Sequence, residues 1–188
     1  LIASRFGEQP ERIESGIVDT VAQLSHGNPA FAHETIMMLK TEGSIEAARS
    51  GIRWAGEGTD AASMHLPEST QVAILKRLDR LSPPLQLVLK VASVIGNQFD
   101  YRALKGIYPI STDKAQLAQL LEELRLGGFL RVVSQQKRVL EFFNSEIARV
   151  CYESMLAQQR KKLHRRYAQW LEKGRSAEVD DSYLAMAY

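Results

Sequence analysis

The chain has 188 residues, 45% hydrophobic and 24% charged, with a formal net charge of +2, which suits one globular domain or two small ones and supplies no overall field for nucleic acid. Cys151 is the single cysteine, so no intramolecular disulfide can form; a buried thiol in a reducing, cytoplasmic setting is expected. A charged-then-apolar leader is missing, as is a run of about 18 apolar residues, so neither secretion nor a membrane span is expected, and the Leu-Ile-Ala start reads as an internal piece of a longer protein.

Pro10 opens the first expected helix, residues 10–25, with Ile13, Ile17, Val21 and Leu24 at helical spacing. Gly27 ends it. Pro29 starts the next, in which Phe31, Thr35, Met38 and Leu39 share a face and Gly43 is the stop. From Gly43 to His65 the composition turns to Gly, Ser, Ala and Thr, with Gly51, Gly56 and Gly58 breaking any period, and a linker between domains is expected.

Leu66-Pro67-Glu68 begins the second part, where Ile74, Leu75, Leu78 and Leu81 mark a helix face that Ser82-Pro83-Pro84 stops while capping another helix. The helix from Leu85 to Ile95 is apolar on most sides and should be the central buried one. Gly96 ends it, Asp100 caps a short helix over Tyr101 to Ile107, and Pro109 closes that. Ser111 or Thr112 should cap a helix carrying Leu117, Leu120, Leu121 and Leu124, ended by Gly127-Gly128.

The period then shortens towards two. Phe129 to Val133 and Val139 to Phe143 read as a hairpin around Ser134 to Arg138, and Asn144 or Ser145 caps a helix through Met155. Three helices followed by a hairpin is the order of a winged helix. Ala157 to Lys173 is one further helix, Gly174 to Asp181 a polar loop, and a new helix begins at Ser182, as in a helical-repeat array.

The chemistry-bearing motifs are few. Neither a Gly-x-x-x-x-Gly-Lys-Ser/Thr phosphate loop nor Gly-x-Gly-x-x-Gly occurs, and His26, His33, His65 and His164 lie in different segments without metal spacing, so solvated or capping histidines are expected. The acidic pairs Glu122-Glu123 and Asp180-Asp181 have no nucleophile or base beside them and read as solvated faces. Between Asp113 and Arg125, the helix that a winged helix would present to a groove carries one more acid than base, so nucleic acid is not an expected partner. Wound on a helix, Arg160 to Arg166 gives an apolar stripe of Leu163, Tyr167, Trp170 and Leu171 under a basic face, solvated or a docking surface for an acidic partner.

Three quoted stretches carry a resemblance. Gly27-Asn28-Pro29-Ala30-Phe31 is similar to the Gly-x-Pro turn at the head of the helical lid in signal-transduction ATPases of the AAA+-related, or STAND, type. "LPESTQVAILKRLDRLSPPLQLVLKVASVIGNQFDYRAL" resembles the start of their winged helix, and "FFNSEIARVCYESMLAQQRKKLHRRYAQWLE" the hairpin exit and the helix that leads into repeats. Within that family, "VASVIGNQFD", "IYPI" and "CYESMLAQQRKKLH" are most like the regulatory region of soluble-type class III adenylyl cyclases; similar modules also serve ATP-dependent transcription regulators and kinases.

The resemblance implies a mainly α chain: a helical lid over 1–42, a linker over 43–65, a winged-helix domain with one β-hairpin over 66–155, and the start of a TPR-like helical repeat over 156–188. It implies nucleotide binding at Gly27, Asn28 and Pro29, with Pro29 against the adenine of ATP or ADP, whose phosphates and Mg are held by an upstream P-loop domain. That domain and the downstream repeats are the implied partners. No catalytic residue is implied here; cyclisation would occur elsewhere in the parent protein. Where relatives often carry a diphosphate-sensing histidine after the hairpin, this chain has Asn144, which caps a helix but carries no charge.

Overall fold

In the computed structural model, residues 13–48, 51–55, 69–110, 116–134, 136 and 138–185 are described, with 175–185 described by their backbone alone. Pro10, Gly56, Gly58, His65 to Glu68, Ser111, Thr112 and Lys137 lie outside these. The described residues are mainly helical, with eight helices and five short strands. The chain divides into two compact units, Leu1–Leu81 and Ser82–Tyr188.

In the first unit, α1 (Ser15–Ser25) starts later than its apolar spacing suggests. Ile13 makes a parallel bridge to Ile52, Glu14 N donates to Ile52 O at 3.0 Å, and Glu14 Oε2 accepts from Trp54 N at 3.1 Å. The carboxylate at the N-cap is thus spent on a hairpin and gives α1 no side-chain cap. α2 (Pro29–Thr41) is buried on nearly every side from His33 to Leu39, so it is the unit's central element and not a one-faced helix.

The expected linker contains structure. β1 (Ile45–Ala48) and β2 (Gly51–Trp54) pair antiparallel, with Ile45 opposite Trp54 and Glu46 opposite Arg53. Ile45, Ile52 and Trp54 turn into a core with Ile17, Val21, Ile36, Met38 and Leu39. On the other face Arg53 donates twice to Glu46 Oε1, at 3.0 and 2.8 Å. This alternation is what buries a two-stranded ribbon too short to stand alone.

α3 (Thr70–Asp79) is capped by Ser69 Oγ, which accepts from Val72 N at 3.3 Å. It packs on α2 and therefore groups with the first unit. Its buried residues are Ala73, Ile74, Arg77 and Leu78, so an arginine sits on the inward face and Leu75 is only half-buried.

The second unit is built on α4 (Pro83–Ile95), whose Leu85, Val88, Leu89, Val91, Ala92 and Val94 are buried. Two prolines occupy its first turn, and Ser82 makes no side-chain cap bond; with proline at the start, fewer amides are there to be capped. β3 (Gln98–Asp100) follows, a strand too short to show a period in the sequence. Asp100 Oδ1 then accepts from Arg102 N at 2.5 Å to cap α5 (Tyr101–Ile107).

α6 (Leu117–Leu126) buries Leu117, Leu120, Leu121 and Leu124, the expected set. β4 (Leu130–Ser134) and β5 (Val139–Phe142) form the expected hairpin, with a register shift between Val132 and Ser134. β3 adds to β5, giving an antiparallel sheet of order β3-β5-β4, and Phe99 meets Phe142 edge-on at 5.9 Å. α7 (Ser145–Glu153) and α8 (Ala157–Ala185) follow, and α4 touches α5, α6, α7 and α8. The loop expected over 174–181 is helical, because its one glycine costs only about 1 kcal/mol and the residues that precede it, Trp170 to Lys173, continue the helix into it.

Candidate functional site

The turn between α1 and α2 is set by three residues in succession. His26 closes α1 in the left-handed region at φ 44°, and Gly27 follows at φ 79°, where a side chain would be strained. Asn28 N donates to Ser25 O at 2.7 Å, and Asn28 Oδ1 accepts from Ala30 N at 3.0 Å and Phe31 N at 3.2 Å. Pro29 takes the first helical position, where it has no amide hydrogen to satisfy.

His26, Gly27, Asn28 and Pro29 are all exposed, and a methyl group on Gly27 would meet nothing within 4 Å. The turn is therefore open, with backbone that a ligand can approach. Its geometry distinguishes two kinds of ligand. A phosphate would need the free amides of the helix start, and two of those already go to the Asn28 carboxamide. A planar apolar group needs close backbone approach and a surface without stranded donors, which Gly27 and Pro29 supply.

One turn further along α2 lies a charged cluster inside the unit. Glu34 Oε2 accepts from Arg77 Nη1 of α3, and Glu34 Oε1 lies 2.9 Å from His33 Nδ1. An ionised carboxylate only accepts, so His33 Nδ1–H donates. His33 is 1% exposed; the expectation of a solvated or capping histidine fails for it, because its helix is buried on almost every side. Neither Glu34 nor Arg77 belongs to a motif or spacing that stands out in the sequence. The available signal was a Glu beside a His at the head of an apolar run, a position that is seldom charged without a partner.

Asn144 is half-buried and caps α7, its Oδ1 accepting from Ile147 N at 2.9 Å. It belongs to the second unit, whereas Gly27, Asn28 and Pro29 belong to the first. On α6, Arg125 donates from Nε and Nη2 to Glu122 at 2.8 and 2.7 Å. These hydrogen bonds hold the Glu122 carboxyl below its usual value and raise the guanidinium. The one cation of this helix is committed to an acid, which leaves the element poorly suited to phosphate.

Cys151 is buried. In α8, Leu163 is buried and Tyr167 stacks on Trp170 at 6.2 Å, but Leu171 is 43% exposed and leaves the expected stripe. Among the described residues no helix is long and apolar enough to cross a membrane, and no group of three His, Cys, Asp or Glu could hold a metal ion. No protein-family model matches the sequence, and no curated protein is significantly similar to it.

Proposed function

We propose that residues 13–41 contribute the lid contact of a nucleotide switch, with Pro29 and Gly27 lying against the adenine of ATP or ADP. The phosphates and Mg would be held by a P-loop domain of the parent protein. On the resemblance quoted above, the parent is a large signalling ATPase of the STAND type, a soluble-type adenylyl cyclase in particular. The exposed turn carries the reading: it combines an unstrained route past Gly27, a proline without a donor, and amides already satisfied by Asn28. Those features suit a flat heterocycle better than an anion.

The second unit is read as the winged helix of that switch. Its support is the order α4, β3, α5, α6, then the β4–β5 hairpin with β3 added at the β5 edge. α8 is read as the first helix of a TPR-like repeat region. A module of this kind relays nucleotide state by changing its contacts according to which ligand the lid has closed on. Asn144 serves this module as a helix cap, and the relay we propose does not depend on its charge.

The test is ATP and ADP affinity of the full-length protein, intact and as Pro29→Ala. Alanine keeps the helix and its Asn28 cap while removing the ring. Affinity should fall by about tenfold, equivalent to roughly 1.4 kcal/mol. An unchanged dissociation constant would overturn the adenine contact.

A further inference from the structure

The second unit carries three adjoining hollows along α8, of about 330, 220 and 330 Å³. The first shares Pro109 and Arg166 with the second, and the second shares Leu87, Lys90 and Gln159 with the third. Together they make one groove between α4, the Pro109-Ile110 segment and α8. Its floor is apolar, from Leu87, Met155 and Leu163, and Ile110 at one end is exposed.

The rim is cationic. Lys90, Lys162, Arg166 and Lys173 all line the groove, and none of its lining residues is acidic. Among the described residues none of these four meets a carboxylate, whereas Arg53, Arg80, Arg102, Arg125, Arg131 and Arg149 each hold one. Lys162, Arg166 and Lys173 follow one face of α8 over about 16 Å at 1.5 Å per residue, roughly three helical turns.

We propose that this groove takes an acidic amphipathic helix of a partner protein, about three turns long. Its apolar stripe would lie over half-buried Leu87 and exposed Ile110, above the buried Met155 and Leu163, and carboxylates at helical spacing would meet Lys90, Lys162, Arg166 and Lys173. The apolar surface decides against nucleic acid: a phosphodiester backbone matches the cations but leaves half-buried Leu87 and exposed Ile110 uncovered. The charge pattern decides against an uncharged or basic segment, which would leave the four cations without partners.

The experiment uses the whole 188-residue chain and a fluorescein-labelled 14-residue helical peptide, with Glu at i, i+4, i+7 and i+11 beside a stripe of Leu, followed by anisotropy at about 50 mM salt, where exposed charges are weakly screened. The peptide should bind saturably. Lys162→Glu/Arg166→Glu should weaken it by about tenfold or more, while Lys161→Glu/Arg165→Glu, with the same change of charge on exposed residues outside the groove, should change it by less than about twofold. Absence of saturable binding overturns the proposal. So does equal weakening by both variants, equal binding of a scrambled peptide, or tighter binding of labelled single-stranded or duplex DNA of the same length. Circular dichroism of both variants establishes that α8 is retained.

Discussion

Replacing Arg77 with methionine tests the interior of the first unit most sharply. The side chains of Arg77 and Glu34 are 1% and 0% exposed, so Arg77→Met leaves the Glu34 carboxylate in a dry site without its guanidinium partner. Removing one partner of such a pair costs about 3–5 kcal/mol, a large share of the 5–15 kcal/mol that typically holds a domain together. With a urea slope of about 2 kcal/mol/M, the unfolding midpoint should fall by roughly 2 M. Trp54, 9% exposed in the core of this unit, reports the transition by fluorescence, and a Trp170→Phe background removes the only other indole. Glu34→Leu/Arg77→Met removes both charges and should recover to within about 1–2 kcal/mol of the parent, the remainder reflecting the acceptor that His33 Nδ1–H loses. A single-variant loss under about 1 kcal/mol, the range of surface pairs, would refute the reasoning. A double variant no more stable than Arg77→Met would refute it equally.

Asn144→Ala should destabilise the second unit by about 1 kcal/mol in urea melts, through loss of the bond to Ile147 N, and Asn144→Asp should restore it. A methyl group on Gly106 would overlap the Trp170 indole, so Gly106→Ala should displace the ring and shift Trp170 emission to the red in a Trp54→Phe background; an unmoved spectrum would contradict the close packing of α5 on α8. Because Arg125 lowers the Glu122 pKa, this contact favours the folded state above the ordinary carboxylate range and loses its effect as pH falls through the lowered value. In Arg125→Gln the Glu122 carboxyl, followed by NMR, should titrate at a higher pH than in the parent.

What was legible in the sequence was local. α4 shows as an unbroken apolar helix behind Ser82-Pro83-Pro84, α6 as four leucines at helical spacing, and the β4–β5 hairpin as a change of period. The turn before α2 was equally readable, since glycine at positive φ, asparagine at the cap and proline at the first position each follow from backbone sterics. β1 and β2 were hidden by the glycine and serine around them, although Ile45, Ile52 and Trp54 against Glu46 and Arg53 do alternate. The Glu34–Arg77 contact joins residues 43 apart, a separation that no local period records.

That buried ion pair also sets which motions the first unit can make. Sliding α3 along α2 by one turn, about 5.4 Å, would draw the guanidinium off its carboxylate in a medium that replaces neither with water. Shear between these two helices is therefore closed to the unit. Rotation of α2 is held as well, by the core in which its Ile36, Met38 and Leu39 meet Ile17 and Val21 of α1 and Ile45, Ile52 and Trp54 of the hairpin. The ion pair and the shared core thus join α2 to α3, α1 and the hairpin, so that any movement of this unit carries them as one rigid body.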